Sequence, residues 1–265
     1  MIRNLLVRGM IAGLVAGLLG SGFAHTFGEP SIARAIAFEA THEHEDPPAL
    51  EHHHDEAGNA SAVQSHQHDH GDEELVSRGT QAGLGLLTGV AVFGTALGGL
   101  FSLVFAFAYG RFGHLRARGA SALLALFGFV SVAIAPFLKY PPNPPTVGNP
   151  DTIGPRTALF FIMIVISIVS AVFAVWLQRR MRAGKGEWNA TLIAGAAYIV
   201  LIGIAIAALP RIDEVPADFS APLLWNFRLA SVGIQAIIWT TLGLLFGALA
   251  ARELERPVVK RMAVA

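Results

Sequence analysis

Eight histidines, His42, His44, His52, His53, His54, His66, His68 and His70, fall within 29 consecutive positions of this 265-residue sequence. Between and beside them stand Glu43, Glu45, Asp46, Glu51, Asp55, Glu56, Asp69 and Asp72. An imidazole with an ordinary pKa of about 6.5 is mostly neutral near pH 7 and offers a nitrogen lone pair. The tract therefore has the chemistry to bind Zn²⁺, Ni²⁺, Co²⁺ or Cu²⁺, with the carboxylates adding charge and oxygen ligands. Ligands without fixed geometry collect cations but do not select among them, because affinity then follows the general order that ranks Co²⁺ below Ni²⁺ and Cu²⁺. From His42 to Glu74 there is no basic residue and no apolar periodicity, so residues 42–74 are expected to be a disordered loop without a ligand.

Three further residues are candidates for a more ordered metal-receiving site: His25, Glu29 and Glu39. His25 closes an apolar run just before Gly28-Glu29-Pro30, where a rigid element can aim it. An interfacial histidine bonded to a backbone carbonyl is the competing reading. Cysteine is absent, which excludes disulfides, thiolate ligands and thiol catalysis. The sequence has no G-x-x-x-x-G-K-[ST] phosphate loop, no H-E-x-x-H and no G-x-S-x-G, so no enzyme class is indicated.

The elements that must hold these residues are apolar. The composition is 53% hydrophobic and 14% charged, with mean hydropathy +0.53, which is that of an integral membrane protein. Crossing about 30 Å of hydrocarbon takes about twenty helical residues. Six runs qualify: 5–27, 79–109, 119–138, 157–177, 190–209 and 222–250. None alternates like a barrel strand, so the expectation is an all-α, polytopic bundle of six transmembrane helices forming one transmembrane domain. The first run also resembles a secretory signal, but it exceeds the usual core of about 7–15 residues and is read as a retained span.

Basic residues set the orientation. Arg3, Arg8, Arg111, Arg116, Arg118, Arg179, Arg180, Arg182, Lys185, Arg252, Arg256, Lys260 and Arg261 flank one set of helix ends. The other set has Arg34, Arg78, Lys139, Arg156 and Arg211. The positive-inside rule then predicts both termini in the cytoplasm and the histidine tract outside. The equal totals of 19 basic and 19 acidic residues say nothing about a nucleic-acid partner, because what matters is where each sign sits along the chain, and no such partner is expected.

Within the runs there is no Asp or Glu, which disfavours a buried carboxylate relay. Gln81, Thr88, Thr95 and Ser102 recur every seven residues and share a face, which can line a path or accompany close packing through Gly85, Gly89, Gly94 and Gly98. Arg228, Ser231 and Gln235 share a face of the last run, and Arg228 either snorkels or pairs with Glu29, Glu39 or Asp218. Arg8-Gly9…Ala12-Gly13-Leu14 is echoed by Arg78-Gly79…Ala82-Gly83-Leu84, a pattern that inverted repeats of transporters also show. Residues 29–41, with Pro30 in the first turn and Ile32, Ala35 and Ile36 as a stripe, read as a short amphipathic helix outside the membrane. Six prolines between Lys139 and Pro155 stiffen an outer connection.

These residues resemble the CbtA family of cobalt transporter subunits. The resemblance rests on Arg8-Gly9-Met10, Gly28-Glu29-Pro30, Ala35-Ile36-Ala37-Phe38-Glu39, the histidine tract and Tyr109-Gly110-Arg111. It continues through Lys139-Tyr140-Pro141-Pro142-Asn143-Pro144-Pro145-Thr146-Val147-Gly148, Asp151-Thr152-Ile153, Leu224-Trp225 and Phe227-Arg228-Leu229. It implies a multi-pass protein of the bacterial plasma membrane that imports a divalent metal. Co²⁺ is the implied cargo, with Ni²⁺ or Zn²⁺ as alternatives, and the implied setting is cobalamin biosynthesis. The implied partners are lipid, the metal ion and a small CbtB-like membrane subunit. A non-transporting accessory that delivers metal to a separate permease is the alternative function.

Overall fold

The computed structural model describes residues 2–43, 77–111, 115–145, 147–148 and 152–255. Among these residues there is no strand, and six helices are long and apolar enough to cross a membrane. Span 1 is Ile2–Phe38, span 2 Gln81–Ala108, span 3 Ala117–Lys139, span 4 Ile153–Lys185, span 5 Glu187–Ala208 and span 6 Ala221–Leu254. Each coincides with one of the six runs in the sequence, spans 2 and 5 ending one or two residues inside the expected limits. The even number returns the chain to the side where it began, so one face carries both ends of the bundle (the terminal face). The opposite face carries the two described ends of the first connection, at residues 43 and 77, and the proline-rich block (the loop face).

Glycine decides the closest packing. Gly9, Gly13 and Gly17 of span 1 lie on Gly98, Gly94 and the Val90–Ala91 backbone of span 2. A methyl group on Gly17 would sit 2.6 Å from the Val90 carbonyl oxygen, and one on Gly94 would sit 2.5 Å from that of Gly13. In lipid, where apolar surface gains little by leaving the solvent, this backbone approach supplies the dispersion contacts that hold helices together. Ser102 is buried against Gly9, Thr95 is half-buried and Thr88 is exposed; each hydroxyl donates to a carbonyl of its own helix. The seven-residue polar face is thus partly a helix seam. Gly79, Gly83 and Gly89 meet no neighbouring atom, so the echo of the Gly9 segment at Gly79 does not repeat its packing.

Spans 1, 2, 3 and 6 share one core, in which the edges of Phe246 meet the rings of Phe101 and Phe105 at 5.5 and 5.0 Å. Spans 4 and 5 form a hairpin closed by Gly186 alone, at φ +78 and ψ 165, a positive-φ conformation that glycine accepts without steric cost. The hairpin attaches through Met163, Ile202 and Ala205 to Ala135 and Tyr140, near the loop face.

π-helical turns interrupt four spans, at Ala24–Gly28, Gln81–Gly85, Phe129–Ile134 and Leu242–Phe246. Such turns disturb the regular carbonyl ladder and recur at functional positions. Side chains of neighbouring spans answer two of them: Ser121 Oγ donates to the Gly243 carbonyl at 2.8 Å, and His25 Nδ1 lies 3.3 Å from the Ala82 carbonyl.

The expected separate amphipathic helix is instead a continuation of span 1. Glu29–Glu43 follows the turn at Ala24–Gly28 without a break. Ala35 is fully buried beside Val147, Phe219 and Leu223, Ile32 is half-buried and Ile36 exposed. Phe38 meets Phe219 edge-on at 5.2 Å. The apolar stripe therefore packs on the loops of the loop face, because those loops are themselves apolar and close at hand. At about 1.5 Å per residue the 37 residues of span 1 reach about 55 Å, well beyond the hydrocarbon.

Candidate metal-receiving site on the loop face

Of the sequence-derived metal ligands, the structure places His25 and Glu29. His25 is exposed in the π-helical turn of span 1, and Glu29 follows it as the first residue of the next helix. A carbonyl oxygen only accepts, so the contact of His25 Nδ1 with Ala82 requires Nδ1 to carry the proton. With Nδ1 as the donor, the lone pair of the neutral ring is on Nε2. A metal-bound histidine commonly uses its second nitrogen in this way, donating to a carbonyl that orients the ring. The two readings of His25, carbonyl-bonded or metal-binding, are therefore compatible.

Glu39 and His42 lie in the helix that extends span 1, with side chains outside the described atoms, and His44, His52, His53, His54, His66, His68 and His70 lie outside the described residues. Among the described residues no group of three or more His, Asp or Glu side chains converges to hold a metal ion.

Beside this corner the proline-rich block folds into a wall of a cavity of about 890 Å³ between spans 3, 4, 5 and 6. The Lys139 ammonium donates to the carbonyls of Ile206 and Leu209 at 2.8 and 2.7 Å. Those are the last carbonyls of span 5, where the helix dipole favours a cation. Tyr140 donates its hydroxyl to the Pro210 carbonyl at 3.0 Å, and burial pushes its phenol above the ordinary value. Arg156 and Glu214 pair at 2.9 Å. Gly148, at φ +127, leaves room for that pair; a side chain there would meet the Glu214 carboxylate.

Arg228 donates to Asn143 Oδ1 at 3.0 Å and to the Pro142 carbonyl at 3.4 Å. These partners in the proline block were not among those considered from sequence. The cavity presents Lys139, Arg156, Arg211 and Arg228 against Asp213 and Glu214. Its positive excess makes it a structural anchor of the loop face and a poor resting place for a free divalent cation. Sequence reasoning missed the roles of Lys139, Asn143, Arg156 and Glu214, and the signal that marked them was the proline block in which two of them stand.

On the terminal face, Arg8 donates to Glu253 and to the Leu249 carbonyl, and Asn4 donates to Glu253 at 2.8 Å. Glu255 accepts the Ala117 backbone N–H at 3.2 Å. The end of span 6 thereby ties down the starts of spans 1 and 3.

No curated protein and no solved structure matches the chain. The family model described as "Probable cobalt transporter subunit (CbtA)" matches residues 2–251. With that match running from the first turn of span 1 almost to the end of span 6, the chain belongs to the CbtA family, a family of cobalt transporter subunits.

Proposed function

We propose that this protein is the membrane-spanning subunit of an importer that carries Co²⁺ into a bacterial cell, with both termini cytoplasmic and the loop face outward. The 42–74 segment collects the ion by its imidazoles and carboxylates. His25, with Glu29 and Glu39, receives it at the head of span 1. The observation that carries this reading is the contact of His25 Nδ1 with the Ala82 carbonyl, which turns Nε2 of an exposed ring into the available ligand atom on the loop face. The proposed localisation is the plasma membrane, with membrane lipid, the metal ion and a small CbtB-like subunit as partners, and with no enzymatic activity.

The experiment is transport by the purified full chain reconstituted in liposomes. Accumulation of radioactive cobalt, competed by Ni²⁺ and Zn²⁺ in a measured order, is the expected result. Binding without accumulation would instead support the second reading, an accessory subunit that passes metal to a separate permease. That reading is favoured by one observation: no three metal-binding side chains converge among the described residues.

A further inference from the structure

Spans 3, 4 and 5 are held together unevenly. Span 4 packs on the loop-face part of span 3, at Phe129–Ile134 and Ala135–Lys139, and not along Ala117–Gly128 to any comparable extent. Toward the terminal face span 3 parts from the span 4–5 hairpin, and the three helices enclose a wedge of about 740 Å³. Its walls are apolar, with Leu126 and Val130 on span 3, Ala174 on span 4 and Gly195 on span 5. At its mouth stand three guanidinium groups, Arg111, Arg179 and Arg182, all exposed, against the carboxylate of Glu187. Arg179 also donates to the Arg111 carbonyl at 2.8 Å, which holds two of the three together.

The depth of the wedge matches one leaflet. On span 4 the lining runs from Arg182 to Ala171, and on span 5 from Glu187 to Tyr198. Eleven residues of helix cover about 16 Å, close to half of a hydrocarbon core about 30 Å thick. The blind end is marked by Ser131, buried with no hydrogen-bond partner, and by Tyr198, whose hydroxyl is shared with Ser167 at 2.8 Å. A cation is a poor fit, because it would pass three arginines and meet neutral hydroxyls. An apolar chain with a negative head fits both parts: the walls favour hydrocarbon, and guanidinium forks bind phosphate oxygens at headgroup depth.

We propose that this wedge is a binding site for one anionic phospholipid drawn from the leaflet at the terminal face. Its acyl chains fill the gap between spans 3, 4 and 5, and its phosphate rests on Arg179 and Arg182. The bound lipid closes the half of the interface that protein atoms leave open, so it ties the span 4–5 hairpin to the rest of the bundle.

The test uses the purified full chain, stripped of lipid in detergent and then exposed to phosphatidylglycerol or to phosphatidylcholine. Native mass spectrometry counts retained lipid, and thermal unfolding reports stability. The expected result is one retained phosphatidylglycerol per chain with a higher unfolding temperature, and neither effect from phosphatidylcholine. Gly195→Phe fills the wedge without a backbone clash, since the space beside Gly195 is open, and should abolish retention. Arg179→Gln with Arg182→Gln should weaken it about thirtyfold, the scale of two basic side chains lost at a membrane surface. Equal retention of phosphatidylcholine, undiminished retention in Gly195→Phe, or the same stabilisation by glycerol phosphate alone would each overturn the proposal. If Gly195→Phe does not fold, the double arginine variant decides: unchanged phosphatidylglycerol retention there rejects the site.

Discussion

Nδ1 of His25 lies 3.3 Å from the carbonyl oxygen of Ala82, and both groups belong to π-helical turns, one in span 1 and one in span 2. The contact joins two elements at the loop face and engages Nδ1 of the ring, not Nε2. Because the donor must be Nδ1, the consequence for metal binding can be tested with side chains that imitate one nitrogen at a time.

His25→Ala is expected to raise the half-saturating cobalt concentration in liposome uptake by about tenfold or more, the scale on which losses around a metal ligand act. His25→Asn can still donate to Ala82 but offers no imidazole Nε2, so it should unfold at the wild-type temperature and transport like His25→Ala. Recovery of wild-type uptake by His25→Asn would assign the residue to helix joining alone.

Deleting residues 42–70 should lower the initial rate of uptake when cobalt is limiting and leave the rate at saturating cobalt unchanged. A collector raises the local ion concentration at the mouth without taking part in the crossing itself. An unaltered rate at limiting cobalt would remove the collector role.

The seam between spans 1 and 2 separates two kinds of glycine. Gly13→Ala drives a methyl group into the Gly94 backbone and should cost about 1–3 kcal/mol, the range for overpacking a close interface. Gly89→Ala enters open space and should leave the unfolding temperature in detergent nearly unchanged. Equal effects at the two positions would mean that the seam does not carry stability.

Tyr140 gives a pH signature. Its phenol is raised above the ordinary value near 10 by burial. A raised folded pKa means that its contribution is fully present below the unfolded pKa and is lost as the pH climbs through the folded one. Tyrosinate absorbance of the folded protein should therefore show Tyr140 ionising above the ordinary range, and stability should fall over that alkaline window. Tyr140→Phe should remove the late step and, by deleting the bond to Pro210, cost about 1 kcal/mol at neutral pH.

Six long apolar runs and no alternation specify six helices whatever their neighbours do, because a backbone in hydrocarbon must satisfy its hydrogen bonds within each segment. Their count, their approximate ends and the membership suggested by the proline block could all be read along the chain. The metal chemistry expected of the histidine tract is likewise read from residue types and local density, although the tract beyond Glu43 lies outside the described residues.

Only tertiary structure could decide which of several equivalent-looking residues does what. Gly94 and Gly89 have the same chemistry, yet one touches span 1 and the other touches nothing, since helix rotation about the bundle is set by all the contacts together. Arg228 reaches Asn143 and Pro142, 85 and 86 residues away, because the proline block folds back over span 6. The pairing of Arg156 with Glu214 and the capping of span 5 by Lys139 arise in the same way. The wedge rimmed by arginines exists because span 3 meets the span 4–5 hairpin near one face and parts from it toward the other. Hydropathy is summed along one chain, whereas rotation, convergence and hydrogen-bond partners depend on distances between segments that are remote in sequence, and folding is what sets those distances.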